Sequence, residues 1–229
     1  MVVTRMSINR PMSISGVVKT ILSAVALMLL LAGNVPVMVT AHAEPARLLV
    51  LGDSLVAGYG LPPGQSFPDQ IQRDLGEQGI AVTVINAGVS GDTTAGGLAR
   101  LDWSLADNPD AVIIVLGGND MLRRLPPEGT AANLETIITR LRDRDVEVLL
   151  AGMMAPRNLG PAYIAAFDAI YPALARRHDI EFYPFFLDGV ALDPALNLDD
   201  GLHPNRQGIM EISRRMMPAV ERLLARLGG

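Results

Sequence analysis

The 229-residue chain carries 24 acidic and 19 basic residues, a net charge of −5, and no cysteine. The missing cysteine excludes a thiol nucleophile, a disulfide framework and a cysteine-ligated metal, and beyond residue 43 there is no lysine to act as a base or to form a Schiff base. The acidic balance argues against nucleic acid as a partner.

Residues 1–43 read as an address. Arg5, Arg10 and Lys19 precede an apolar run from Ile21 to Ala32, and Ala41-His-Ala43 supplies an A-x-A pattern, so a secretory signal peptide cleaved before Glu44 is expected. Gly33, Asn34 and Pro36 interrupt the run before it reaches spanning length, which argues against a retained anchor. The expected location is the periplasm or the medium, with no stable membrane anchor after cleavage. The segment holds three of the 19 basic residues and none of the 24 acidic ones, so residues 44–229 carry 16 basic against 24 acidic residues over a length suited to one domain.

Arg47-Leu-Leu-Val-Leu-Gly-Asp-Ser54 opens this domain as a continuous apolar run ending in glycine, the pattern of a buried parallel strand running into its loop. Further strands are predicted at about 82–86, 111–116, 147–151 and 180–183, and the first at about 47–51. Segments rich in helix formers separate them, including Pro126 to Arg142, Pro161 to Arg177 and Asn205 to Arg226. The alternation predicts an α/β fold: a single-domain three-layer α/β/α sandwich with a mainly parallel five-stranded sheet. Met153, Met154, Met216 and Met217 are expected to fill the core, and the aromatic cluster Phe182, Tyr183, Phe185 and Phe186 is assigned to packing ahead of substrate contact.

The chemistry-bearing residues are few. Beyond residue 43 the serines are Ser54, Ser66, Ser90, Ser104 and Ser213 and the histidines are His178 and His203. Ser54 follows a strand, where catalytic groups of open α/β sheets gather, although a serine there also serves as a turn or helix-cap residue. Asp200 lies three residues before His203, an offset that lets its carboxylate hold one ring nitrogen while the other faces a serine; Asp199 is the competing carboxylate and Asp200 is preferred. His178, at the end of a predicted helix, suits a capping or surface role. Val82 to Asp92 and Ala111 to Asp120 are two more strands running into glycine loops. A backbone N–H at Gly88 and the Asn119 amide can join the Ser54 N–H as oxyanion donors, against the plainer readings of a turn glycine and a helix cap or Asx turn.

Taken together, Gly52-Asp-Ser-Leu55, Gly88, Gly117-Gly-Asn-Asp120 and Asp200-Gly-Leu-His-Pro204 resemble, in order, the blocks of the GDSL or SGNH hydrolases. The resemblance spans residues ~47 to ~218. Asn86 to Thr94, Leu98 to Leu101, Ala169 to Pro172, Tyr183 to Phe186 and Asp199 to Arg206 are similar to the bacterial thioesterase I, lysophospholipase and arylesterase branch. The resemblance implies a flavodoxin-like fold, Ser54 as nucleophile, His203 as general base, Asp200 as its orienter, and Ser54, Gly88 and Asn119 as oxyanion donors. It implies small-molecule substrates, namely fatty acyl or aryl esters, acyl thioesters and lysophospholipids, with no metal or organic cofactor and a monomeric enzyme. Pro156 departs from the pattern in a loop expected to face the substrate. A carbohydrate acetyl esterase would use the same groups, and a non-catalytic binding module would not require an orienter for its histidine.

Overall fold

The computed structural model describes residues 44–228, so the expected signal segment 1–43 lies outside the described residues. Five aliphatic runs form parallel strands: β1 (Ala46–Gly52), β2 (Val82–Gly88), β3 (Ala111–Val115), β4 (Glu147–Ala151) and β5 (Glu181–Tyr183). They lie in the order β2-β1-β3-β4-β5 and every neighbouring pair is parallel. Central strands covered on both faces need apolar side chains in both directions, and all five residues of β3 are buried. β2, at the edge, carries exposed positions.

Nine α-helices connect and cover the described strands: α1 (Ser54–Ala57), α2 (Phe67–Glu77), α3 (Thr94–Ala99), α4 (Leu101–Ser104), α5 (Gly118–Leu122), α6 (Pro127–Arg142), α7 (Pro161–Asp168), α8 (Ile170–His178) and α9 (Arg206–Ala225). Ser66 and Asp69 form a reciprocal capping box at the start of α2, satisfying N–H groups that a helix leaves open. α2 packs against α9, which also touches β4 and β5, while α6 contacts α3, α8 and β4. These packed groups enclose the sheet and make the third layer. Phe67 and Phe186, both fully buried, meet edge to face at 5.1 Å.

Two expectations are refined. The helix predicted over Pro161 to Arg177 is broken at Ala169, because Pro172 has no N–H to donate to the carbonyl four residues back. Pro218 sits inside α9 without ending it; the residue lies on the exposed side, where water can take the freed carbonyl. Met153, Met216 and Met217 are buried as expected, whereas Met154 is 40% exposed.

The strand order places the site. The chain runs from β1 to one neighbour, β2, and then crosses to the other, β3, so the loops leaving the carboxyl ends of three adjacent strands diverge there and leave a crevice. Ser54 follows β1, Gly91 follows β2 and Asn119 follows β3.

Candidate active site

The serine is held at the start of α1. Asp53 caps that helix, its Oδ1 accepting the Leu55 N–H at 3.0 Å. The histidine arrives on the loop between β5 and α9. That loop is tied to itself by the Asn197–Pro204 bridge and by Leu198 N–H donating to the His203 carbonyl at 2.8 Å, and Asn205 caps α9 just beyond it. His203 Nε2 lies 2.9 Å from Ser54 Oγ, and His203 Nδ1 lies 2.6 Å from Asp200 Oδ2.

Asp200 is bonded by three donors. Its Oδ1 accepts the N–H groups of His203 at 3.0 Å and Leu202 at 2.9 Å, and these bonds, with the imidazole contact, hold the carboxyl down at about 2. An ionised carboxylate only accepts, so the ring proton resides on Nδ1 and Nε2 presents a lone pair to Ser54. Tyr59 lies against the imidazole with ring centroids 4.5 Å apart, shielding one face.

Asn119 and Asp53 meet across the crevice floor. Asn119 Nδ2 donates to Asp53 Oδ2 at 3.0 Å, which leaves its second N–H available. Asp53 is buried, and burial pushes its carboxyl up to about 6 against the opposing pull of the Leu55 N–H and the Asn119 amide. Asp120, also buried, accepts from the Thr94 N–H at 2.8 Å, the Thr94 hydroxyl at 2.5 Å and the Thr130 hydroxyl at 3.3 Å. It binds the loop after β2 to the loop after β3.

The expectation for Gly88 is corrected. Its N–H donates to Asn86 Oδ1 at 2.9 Å, and a Cβ there would sit 2.3 Å from the Ala57 nitrogen. Gly88 is therefore a packing glycine that lets the end of β2 approach α1, and its donor is spent. Three residues on, Gly91 lines the cleft with a φ of +85°, and its N–H has no acceptor among the described residues. Sequence reasoning found the loop and missed the residue, because two glycines share it and only the folded path shows which N–H is free. Tyr59 had no sequence signal.

The cleft has a volume of about 650 Å³ and includes Ser54, Gly91, Asn119 and His203. Its walls are mainly apolar, with Leu55, Met121, Met153, Phe185 and Leu187 inside and Leu122, Met154, Leu192 and Leu202 exposed at the mouth. Pro156 lies on this wall, as expected of its loop, and the aromatic cluster divides: Phe186 is core and Phe185 faces the cleft. A larger groove of about 860 Å³ between α2 and α9 contains no serine or histidine among its lining residues. His178 stands apart, its Nε2 2.6 Å from Glu135 Oε1.

A parallel sheet bearing a hydrogen-bonded serine, histidine and aspartate at its carboxyl edge is the arrangement on which serine hydrolases are built. The chain belongs to the GDSL-like lipase/acylhydrolase family, whose model matches residues 50–209. It is similar to an arylesterase of Vibrio mimicus, at 45% identity over 159 residues, covering 69% of this chain and 80% of the relative. It is similar also to thioesterase 1/protease 1/lysophospholipase L1 of Escherichia coli K12, at 41% identity over 172 residues, covering 74% of this chain and 81% of that protein. Among solved structures, AlinE4, an SGNH-hydrolase family esterase, is 45% identical with a TM-score of 0.67 over 80% of this chain and 98% of its own.

Proposed function

We propose that this enzyme hydrolyses fatty acyl and aryl esters and acyl thioesters through an acyl-Ser54 intermediate, with lysophospholipids within its range. The observation that carries the reading is the unbroken hydrogen-bond path Ser54–His203–Asp200 opening into an apolar cleft. The names of the relatives, an arylesterase and a thioesterase/lysophospholipase, support it.

In this reading His203 Nε2 takes the Ser54 proton as Oγ attacks the carbonyl carbon, and the charge of the resulting imidazolium is balanced by Asp200. The oxyanion is received by the Ser54 N–H, the Gly91 N–H and the free N–H of Asn119. His203 then protonates the leaving alcohol or thiol, and the same nitrogen activates water to release the acid and free Ser54. No step needs a metal or an organic cofactor. The apolar walls favour acyl and aryl groups over a sugar.

The test is a panel of p-nitrophenyl esters from acetyl to palmitoyl, extended to acyl-CoA and lysophospholipid, run beside Ser54→Ala. Turnover of medium or long chains that vanishes in the variant is the expected result; activity confined to acetyl points instead to the carbohydrate acetyl esterase reading. Export follows from residues 1–43 as a cleaved signal, and amino-terminal sequencing of the exported protein should begin at Glu44. The mature domain acts as a monomer in this reading, which light scattering checks.

A further inference from the structure

Arg123 caps the end of α5, the helix that carries Asn119, and its side chain ties that helix to the loop after β2. Its guanidinium Nη2 donates to the Gly91 carbonyl at 2.7 Å, while its backbone N–H makes only the helix's own bond to the Asn119 carbonyl at 3.0 Å. The residue itself is exposed and is not part of the cleft lining. Its contact with the reaction is therefore indirect.

The Gly91 segment needs such a restraint. Val89 to Asp92 is a tight turn closed by the Asp92 N–H on the Val89 carbonyl at 3.1 Å, with Gly91 at the third position in the left-handed region. Glycine reaches that conformation without penalty and leaves it as easily, so the turn is weakly defined by its own backbone. An inner anchor exists: Arg100 pairs with Asp92 at 2.6 Å and donates to the Gly52 carbonyl at 2.9 Å, joining the turn to the end of β1. Arg123 is the outer anchor, and it joins the same turn to the segment carrying Asn119.

We propose that Arg123 is a positioning residue that sets the spacing between the Gly91 and Asn119 donors. The inference rests on the oxyanion reading above. An exposed hydrogen bond contributes little to global stability, so the two roles separate: the fold should be indifferent to Arg123 and the chemical step should not be. A donor that is loosened costs part of what a deleted donor costs, and deletion costs roughly 10² to 10³ in kcat, so a loss of about tenfold is expected.

The experiment compares Arg123→Ala and Arg123→Lys with the wild type on one soluble p-nitrophenyl ester, with Ser54→Ala and Asn119→Ala measured in parallel. Arg123→Ala should lower kcat about tenfold at nearly constant KM and unchanged Tm, and Arg123→Lys, whose ammonium still donates, should recover part of the loss. A rise in KM at constant kcat would overturn the proposal, since it marks a substrate contact. A Tm loss of more than about 5 °C beside the kcat loss would overturn it too, since the residue would then be structural. If Arg123→Ala keeps full kcat while Ser54→Ala is inactive and Asn119→Ala is impaired, this inference fails alone. If Ser54→Ala remains active, the reading beneath it fails.

Discussion

Two histidines in this molecule hold a carboxylate at the same distance, 2.6 Å, and only one of them belongs to the cleft. His178 Nε2 meets Glu135 between α8 and α6, and Glu135 is shared with Arg177 on the surface. His203 meets Asp200 through Nδ1, and its other nitrogen faces Ser54 Oγ at 2.9 Å. The carboxylates differ as well. Asp200 is fastened by two backbone N–H groups of its own loop, which fix it against the imidazole, whereas Glu135 reaches across from a helix and is also paired with Arg177. A histidine–carboxylate pair is thus common chemistry. What makes one of them a candidate base is what the second ring nitrogen addresses.

The widest separation between the two regions should come from the nucleophile. Ser54→Ala is expected to lower kcat by roughly 10⁴ to 10⁶ with Tm unchanged, while Ser90→Ala, in the neighbouring loop, should cost far less. Comparable losses in the two variants would end the assignment. His203→Gln should approach the loss of Ser54→Ala, and adding it to Ser54→Ala should cost little more, because residues that act as a unit are not additive. His178→Gln should stay close to wild-type turnover and cost at most about 1 kcal/mol of stability, the range of a single side-chain hydrogen bond. The reverse pattern in the two histidine variants would exchange their roles.

Smaller effects come from the donors. Asn119→Ala should reduce kcat by roughly 10² to 10³ with little change in KM. A stable and fully active Asn119→Ala would leave that residue only a structural role.

Asp53 gives the subtlest test. A carboxylate only accepts, so it dictates that the nitrogen of Asn119 faces it; an asparagine at 53 must still accept from Leu55 and would offer its own N–H to Asn119, turning that amide over. Asp53→Asn is therefore expected to lower kcat by about ten- to a hundredfold, less than losing the donor outright. Its effect on stability has the opposite sign. The folded-state pKa is raised from the ordinary 3.8 to about 6, so the folded protein holds this proton more tightly than the unfolded chain does. The stabilising contribution is fully present below about pH 4 and is lost as pH rises through about 6. Melting temperature followed from pH 4 to 7 should show this decline in the wild type and not in Asp53→Asn. The Asp200 contribution occupies another window: with its carboxyl depressed, it is present above about pH 4 and lost as the pH falls through about 2.

The legible parts were those set by local sequence. Strand positions followed from continuous apolar runs, since a strand buried on both faces has no polar alternation to hide, and β4 falls at Glu147–Ala151 as its run predicts. The helix break at Ala169 was legible in principle through Pro172, but helix composition on either side masked it. Ser54, Asp200 and His203 could be singled out because few serines and histidines compete with them and because Asp200 and His203 share one loop.

Sequence by itself determined the class of chemistry, the strand–helix alternation and the Asp200–His203 offset, all of which depend on residue type and short-range spacing. Only the tertiary structure decided that Ser54 and His203, 149 residues apart, meet at 2.9 Å, that Gly88 spends its N–H on Asn86 while Gly91 keeps its own, and that Asn119 donates to Asp53 and Arg123 to the Gly91 carbonyl. Donor availability is a property of three-dimensional neighbours: a backbone N–H is the same group in every residue, and what it can bind is settled by what the fold has already placed against it.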